Sequence, residues 1–413
     1  MSFIDGLSKR FKIDAHYIAK GSFWLVSGSI LGTVLSLITS IITARYIPKE
    51  TFGIFKYIIS MVGIAGAFSL TGMNTVVTRS VSKGFEGSFV ASIKTQLRWS
   101  VLQFLFLFSL SVYYFAHANS IFGTCFIVAA IAMPINTATN TYNAFLSGKK
   151  DFKTSSLYSF LTTLIYAIAL AGISIGAPYI LPLTIVYFVI TTGSNIYFCY
   201  RTIRKYQPNQ LTQQDDKSYA LNLSFTNTFA IIAAHIDSVI VYHFLGTVEL
   251  AIYNFATIIP DKIRSLAGFI QTLALPKLSH HTFIIRKNIL RHTLLILIFS
   301  IGLFLLYVLC APLIFSLFFP NYADSIAFSQ LYSITMIAMP ATYLMTVFSA
   351  YKLQKQIYIL NIGIPVLKVL LLIGMIYYWG IIGAIVARIL SIVIHLGIAA
   401  VSLPSHTPTG EAL

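Results

Sequence analysis

Ile131-Ala132-Met133-Pro134 returns in the second half of the chain as Ile337-Ala338-Met339-Pro340, and at the same offset Ala144 meets Ala350, Lys149 meets Lys355 and Phe152 meets Tyr358. A slightly different offset pairs Tyr46-Ile47-Pro48 with Phe244-Leu245-Gly246, Phe52-Gly53-Ile54-Phe55 with Leu250-Ala251-Ile252-Tyr253, and Tyr57 with Phe255. The chain is built twice on one plan. In a membrane protein, two like halves imply a site near the bilayer midplane where the halves meet.

The surrounding composition is that of a membrane protein. Of 413 residues, 57% are hydrophobic and only 10% charged, against roughly a quarter charged in soluble domains. Apolar runs of about 20 residues, the length that spans a bilayer as a helix, recur from Gly21 onward. They are continuous rather than alternating, which excludes a β-barrel. Residues 1–20 carry Lys9, Arg10, Lys12 and Lys20 and no apolar core, so a cleaved secretory signal is not expected. Cys125, Cys199 and Cys310 are far apart and form no CxxC spacing, so neither a disulfide framework nor a metal site is expected. No connection is long enough for a soluble catalytic domain, and no motif asks for a cofactor.

Reading apolar runs between polar breaks gives twelve spans, at 21–46, 52–80, 97–117, 120–147, 155–175, 178–200, 219–245, 249–276, 290–317, 324–350, 356–377 and 380–402. The net charge of +16 follows their connections. Lys and Arg gather before span 1 and between spans 2 and 3, 4 and 5, 6 and 7, 8 and 9, and 10 and 11. The alternate connections, such as His117-Ala118-Asn119 and Trp379-Gly380, are short and almost free of them. The positive-inside rule therefore places both termini in the cytoplasm, and the charge needs no nucleic acid to explain it. Arg45, Lys49 and Lys56, between spans 1 and 2, break the rule. The expected architecture is all-α and polytopic: two six-helix lobes related as parallel repeats around a central cavity. The polar stretch Arg201 to Lys217 links them, giving an N-terminal lobe at 1–208 and a C-terminal lobe at 209–413. Residues 1–17 mix apolar and basic side chains. They read as an amphipathic interfacial helix or as a basic tail that only sets topology.

Charges at bilayer depth cost about 2.5–3.5 kcal/mol each on insertion scales, so they face a partner or a cavity. They fall mostly in the second half: Asp237 on span 7, Asp261, Lys262 and Arg264 on span 8, Lys368 on span 11 and Arg388 on span 12. Helix rise puts Lys368 roughly 18 Å above the cytoplasmic start of its span and Arg388 roughly 12 Å below the outer start of its own. In a core of about 30 Å the two meet at one level. Asp261 and Arg264, at i and i+3, can pair on one face. Asp261, Lys262, Arg264, Lys368 and Arg388 thus read as one polar cluster with net positive charge. Such a cluster is either a set of paired charges joining helices or a cationic lining for an anionic substrate. In the second case Asp237 or Asp261 is the candidate carrier of a coupling H⁺ or Na⁺. Asn74, an amide at mid-depth of span 2, is interhelical glue or a polar cavity contact. His235 and His243 bracket Asp237 without sharing its face. Pro134 and Pro340 are expected to kink spans 4 and 10.

Three sequence features carry a resemblance. Lys20-Gly21-Ser22-Phe23-Trp24 enters span 1, Thr43-Ala44-Arg45-Tyr46-Ile47-Pro48-Lys49-Glu50-Thr51-Phe52-Gly53-Ile54-Phe55 follows it, and Gly148-Lys149-Lys150 turns after span 4. Together they resemble the polysaccharide flippases of the MOP superfamily, specifically Wzx-type O-antigen transporters, over almost the whole chain. The resemblance implies a non-enzymatic secondary transporter in the bacterial cytoplasmic (inner) membrane. It would move an undecaprenyl-diphosphate-linked oligosaccharide from the cytoplasmic to the periplasmic leaflet by alternating access. Membrane lipids, a polysaccharide polymerase and a chain-length regulator would be its neighbours. Arg45 matches the arginine of the turn motif and joins the candidate cavity cations on that ground. A MATE-like multidrug antiporter of the same superfamily would instead want acids at mid-depth in the first half, which has none. A membrane polymerase or glycosyltransferase would want a long outer loop, and none is present.

Overall fold

The computed structural model describes residues 15–213, 216–265, 268, 286–351 and 353–403. Most of the segment expected to be amphipathic, 1–17, lies outside the described residues, as do the end of span 8 and part of the interlobe linker. Among the described residues there is no strand. In chain order the α-helices are α1 (Ala15–Tyr46), α2 (Lys49–Ala65), α3 (Met73–Ser82), α4 (Gly87–Ala116), α5 (Ser120–Thr139), α6 (Tyr142–Gly148), α7 (Phe152–Gly176), α8 (Ile180–Tyr206), α9 (Asp216–Leu245), α10 (Thr247–Ser265), α11 (Arg286–Phe318), α12 (Ser325–Tyr332), α13 (Pro340–Ala350), α14 (Gln354–Tyr358) and α15 (Ile364–Val401).

Among the described residues, ten helical stretches are long and apolar enough to cross a bilayer. The last, Lys355–Val401, has 47 residues, over twice what about 30 Å of hydrocarbon requires. It is two spans. Gly380 sits at φ 56°, ψ −133°, a conformation essentially reserved for glycine. In a straight helix residues 375 and 383 would stand about 12 Å apart, yet a Cβ on Gly383 would strike the Met375 carbonyl. The chain doubles back at the expected Trp379-Gly380 connection. This reversal and α10, the described part of span 8, account for the two spans by which twelve exceeds ten. The protein is an all-α, multi-pass membrane protein.

The chain groups into two compact units, 1–47 with 61–231, and 48–60 with 232–413. The division falls inside α9 rather than in the polar linker at 208, and the outer half of α2 packs with the second unit although it belongs to the first sequence repeat.

In the first unit α4 packs on α5, α5 and α7 on α8, α1 on α7, and α3 on α6. α4 is polar on its buried side. Ser88, Ser92, Gln96, Ser100, Gln103 and Ser111 are buried, while Leu97, Val101, Leu105, Phe108 and Val112 are exposed. Lipid is as apolar as leucine, so small and polar side chains let membrane helices approach and bond. Ser111 accordingly donates to the Gly123 carbonyl on α5 at 2.7 Å. Span 2, expected as one helix, is broken: α2 ends in a 3₁₀ turn at Gly66–Phe68, and the Gly72 amide donates to Ser224 Oγ at 2.8 Å. Span 4 breaks at Asn140–Thr141 rather than at Pro134, which lies inside α5. Its counterpart Pro340 instead starts α13 after a 3₁₀ stretch, Ser333–Ala338. A proline lacks the amide that would continue the ladder, so the repeated motif yields a break in only one half.

Asp151 caps α7, accepting from the Thr154 amide at 3.0 Å and its hydroxyl at 2.7 Å. It also accepts from the Tyr206 hydroxyl. Burial raises its carboxyl pKa, but these donors and Lys205 outweigh that and hold it below the usual value. A depressed folded pKa stabilises above the unfolded value and is lost as pH falls through the folded one. Asp151→Asn should therefore melt lower than wild type at neutral pH and close that deficit as the pH falls below about 4, narrowing the gap between neutral and acid melting temperatures.

In the second unit α10 packs on α12 and on the Ser333–Ala338 turn, and α15 on α13. Aromatic rings join the transferred residues to this unit: Phe52 lies 4.7 Å from Phe255, Phe255 lies 3.9 Å from Tyr322, and Tyr57 stacks on Tyr242 at 3.9 Å. A Cβ on Gly53 would run into the Thr247 carbonyl.

The reversal at Gly380 is testable with an internal control. Gly383→Ala forces a Cβ against backbone and should lower the melting temperature in detergent. Gly374→Ala, where nothing lies within 4 Å of the new Cβ, should be neutral or raise it, since alanine favours a helix over glycine by about 1 kcal/mol. Equal effects of the two changes would contradict the reversal.

Candidate functional site

A carboxylate in a bilayer needs counter-charges, and Asp237, on α9, has two. It is 4% exposed. Lys368 Nζ lies 2.7 Å from its Oδ1 and Arg388 Nε 3.4 Å from its Oδ2. These cations stand on opposite arms of α15, before and after Gly380, at the common depth that helix rise predicts. Lys368 directs a hydrogen bond to the Ala233 carbonyl at 2.6 Å, so Oδ1 is held by charge rather than by an aligned hydrogen bond. Arg388 continues the network. Its Nη2 donates to Asp261 Oδ2 at 3.1 Å and its Nη1 to the Tyr253 hydroxyl at 3.2 Å. Its guanidinium lies 4.8 Å from the Tyr332 ring centre, a cation–π distance.

Asp261 completes the frame from α10. Arg264 Nη2 lies 3.1 Å from its Oδ1, the expected i, i+3 pair, and the Tyr332 hydroxyl donates to the same oxygen at 2.8 Å. Of the residues singled out from sequence, Asp237, Asp261, Arg264, Lys368 and Arg388 therefore come together within the second unit. Lys262 is beside them and feels the charge of Asp261, without an ion pair among the described residues. Two others are elsewhere. Arg45 is exposed at the end of α1 in the first unit, because the turn motif places it at a helix terminus. Asn74, also in the first unit, accepts from Gln96 Nε2 at 3.5 Å and so bridges α3 to α4.

Sequence reasoning missed three participants. Tyr253 is 2% exposed and Tyr332 fully buried, and both give hydroxyls to the ion network. Tyr253 had a signal, for its repeat partner is Phe55, so the second half adds a hydroxyl where its charges lie. The third is Lys56. It broke the positive-inside rule because it is not in a connection: it lies two turns into α2, in the stretch that packs with the second unit. Lys49, the other exception there, pairs with Asp324 at 2.8 Å. Lys56 has no such acid among the described residues. Its ammonium lies 5.5 Å from the Phe52 ring centre. His395, two turns beyond Arg388, neighbours Arg264 and has a buried Nε2 with no hydrogen-bond partner among the described residues.

The arrangement has two parts. Lys368 and Arg388, expected as substrate contacts, are held by Asp237 and Asp261 in a framework that ties α9, α10, α12 and both arms of α15. Lys56, on α2, and Lys262, on α10, are further cations of the second unit, with no acid within ion-pair distance among the described residues.

A profile of the family described as polysaccharide biosynthesis protein matches residues 18–282, well over half of the chain, and the chain belongs to that family. Solved structures share its fold. The lipid II flippase MurJ, in an inward closed conformation, superposes with a TM-score of 0.67 at 17% identity, covering 92% of this chain and 87% of that one. The MATE multidrug transporter DinF-BH in complex with R6G gives 0.64 at 14%, covering 92% and 94%. An outward-facing multidrug resistance MATE family transporter of the MOP superfamily gives 0.61 at 14%, covering 93% and 94%. At these identities the likeness concerns fold alone. No curated protein sequence matches the chain.

Removing one partner of a buried ion pair strands the other, at a cost of about 3–5 kcal/mol. Asp237→Ala should therefore lower the melting temperature and membrane abundance sharply. Asp237→Leu with Lys368→Met should recover part of the loss, with a coupling of about 0.5–3 kcal/mol in the double-mutant cycle. Additive effects would show that the two groups do not interact.

Proposed function

We propose that this protein is a Wzx-type flippase. It carries an undecaprenyl-diphosphate-linked polysaccharide repeat unit from the cytoplasmic to the periplasmic leaflet of a bacterial inner membrane by alternating access. The observation that carries the reading is that two lysines of the second unit, Lys56 and Lys262, have no ion pair among the described residues. An ammonium at bilayer depth is in a medium where charge is costly. An anion relieves that penalty, and a diphosphate offers charge and acceptor oxygens to match. Membership of a polysaccharide biosynthesis family supports a glycan cargo, and the MOP fold supports transport rather than catalysis.

In this reading Arg388, Lys368, Asp237 and Asp261 position the pair and hold the helices in register. A coupling H⁺ or Na⁺ would act by competing with Lys368 for Asp237 or with Arg388 for Asp261, loosening the framework once per cycle. A polysaccharide polymerase and a chain-length regulator are the partners on the far side. The sign of the site disfavours a multidrug exporter of organic cations, since Lys56, Lys262, Arg264, Lys368 and Arg388 outnumber Asp237 and Asp261 among the described residues.

Deletion in the host tests the reading. Long-chain surface polysaccharide should disappear and undecaprenyl-linked repeat units accumulate on the cytoplasmic side. Lys56→Ala combined with Lys262→Ala should fail to restore it at normal membrane abundance, and Lys56→Arg with Lys262→Arg should restore it in part. Normal polysaccharide in the deletion, with no second flippase present, would refute the cargo. Full complementation by the alanine variant would refute the site.

A further inference from the structure

The last turns of α8 carry Tyr197, Tyr200, Arg201, Arg204 and Lys205. The spacing is i, i+3, i+4, i+7, i+8, which is one face of a helix. These five residues line a groove of about 330 Å³ on the first unit. The face is open: Tyr197 is 56% and Tyr200 60% exposed, and Arg201, Arg204 and Lys205 are exposed as well. The acid of the neighbourhood, Asp151, is occupied by Thr154, by Tyr206 and by Lys205 at 3.6 Å. Arg201 lies over the Tyr158 ring, 5.9 Å from its centre, which steadies the guanidinium without neutralising it. Neither Arg201 nor Arg204 has a carboxylate within ion-pair distance among the described residues.

We propose that this groove binds the headgroup of an anionic glycerophospholipid of the cytoplasmic leaflet. The positive-inside pattern puts this end of α8 in the cytoplasm, where membranes display anionic lipid. From Tyr197 to Lys205 the helix rises about 12 Å, which spans the boundary between hydrocarbon and headgroups. The tyrosines sit at the level of the glycerol backbone, where such rings anchor. Arg201 and Arg204 reach the phosphate level, and a guanidinium pairs its parallel N–H groups with phosphate oxygens. The bound lipid would brace the cytoplasmic end of the first unit whatever cargo the protein carries, so the inference stands apart from the proposed function.

The test uses the full chain purified in zwitterionic detergent, with its melting temperature followed during titration with phosphatidylglycerol, phosphatidylcholine or inorganic phosphate. Phosphatidylglycerol should raise the melting temperature saturably, and the other two should not at the same concentrations. Arg201→Ala with Arg204→Ala should melt as wild type without lipid and need about tenfold more phosphatidylglycerol for the half-maximal shift. Arg204→Gln alone serves should the double variant not fold, with a smaller displacement in the same direction. An unchanged midpoint in the variants, or an equal response to phosphatidylcholine, would overturn the proposal. A full response to inorganic phosphate would replace it with a free-anion site.

Discussion

The second unit depends on one carboxylate. Asp237 lies where the bilayer offers no solvation, and it is kept there by Lys368 and Arg388. Those residues come from the two arms of α15, which Gly380 folds against each other. The reversal and the ion network therefore require each other: without the reversal the two cations could not reach one acid, and without the acid they would be buried like charges side by side. Arg388 passes the constraint on to Asp261 and Tyr253, and Asp261 to Arg264 and Tyr332. Four elements are joined by charge in a medium where apolar contact alone gives helices little reason to associate.

The first unit solves the same problem without charge. Its polar interior is made of amides and hydroxyls: Gln96 with Asn74, Thr137 with Gln103, and Asn136 with Thr192 and Asn195. Neutral groups of this kind join helices and leave no field to attract an ion. The two units thus share a repeat and a fold class yet differ in how their interiors are held together, by ion pairs in the second and by neutral polar groups in the first.

The spans were legible because a long apolar run has few alternatives in a chain this hydrophobic. Depth was legible too, since helix rise is constant: Lys368 and Arg388 were expected at one level and lie on opposite oxygens of one carboxylate. Azimuth was not. Rise says nothing of which way a side chain points, so Asp237 read as a separate ion carrier when it is the centre of the cluster. Lys56 was counted as a loop charge because a charge tally ignores where a helix begins. The polar stripe of α4 was hidden because a hydropathy average blurs one face into the other. The breaks near residues 70 and 140 carry a local mark, in Ser69, Thr71, Gly72 and Asn74 and in Asn136 to Asn143, but the long apolar runs around them read each span as one helix. The resemblance carried by Arg45 and its turn identified the fold, and the structure puts that arginine at a helix end of the first unit.

The most direct measurement is translocation in proteoliposomes of an undecaprenyl-diphosphate-linked oligosaccharide beside the same glycolipid lacking its phosphates, with the fraction reaching the opposite leaflet followed over time. The account predicts transport of the diphosphate form and at least about tenfold slower movement of the neutral one, because the cationic pair has nothing to hold. Equal rates for the two, with the protein folded and active, would contradict a diphosphate-reading site.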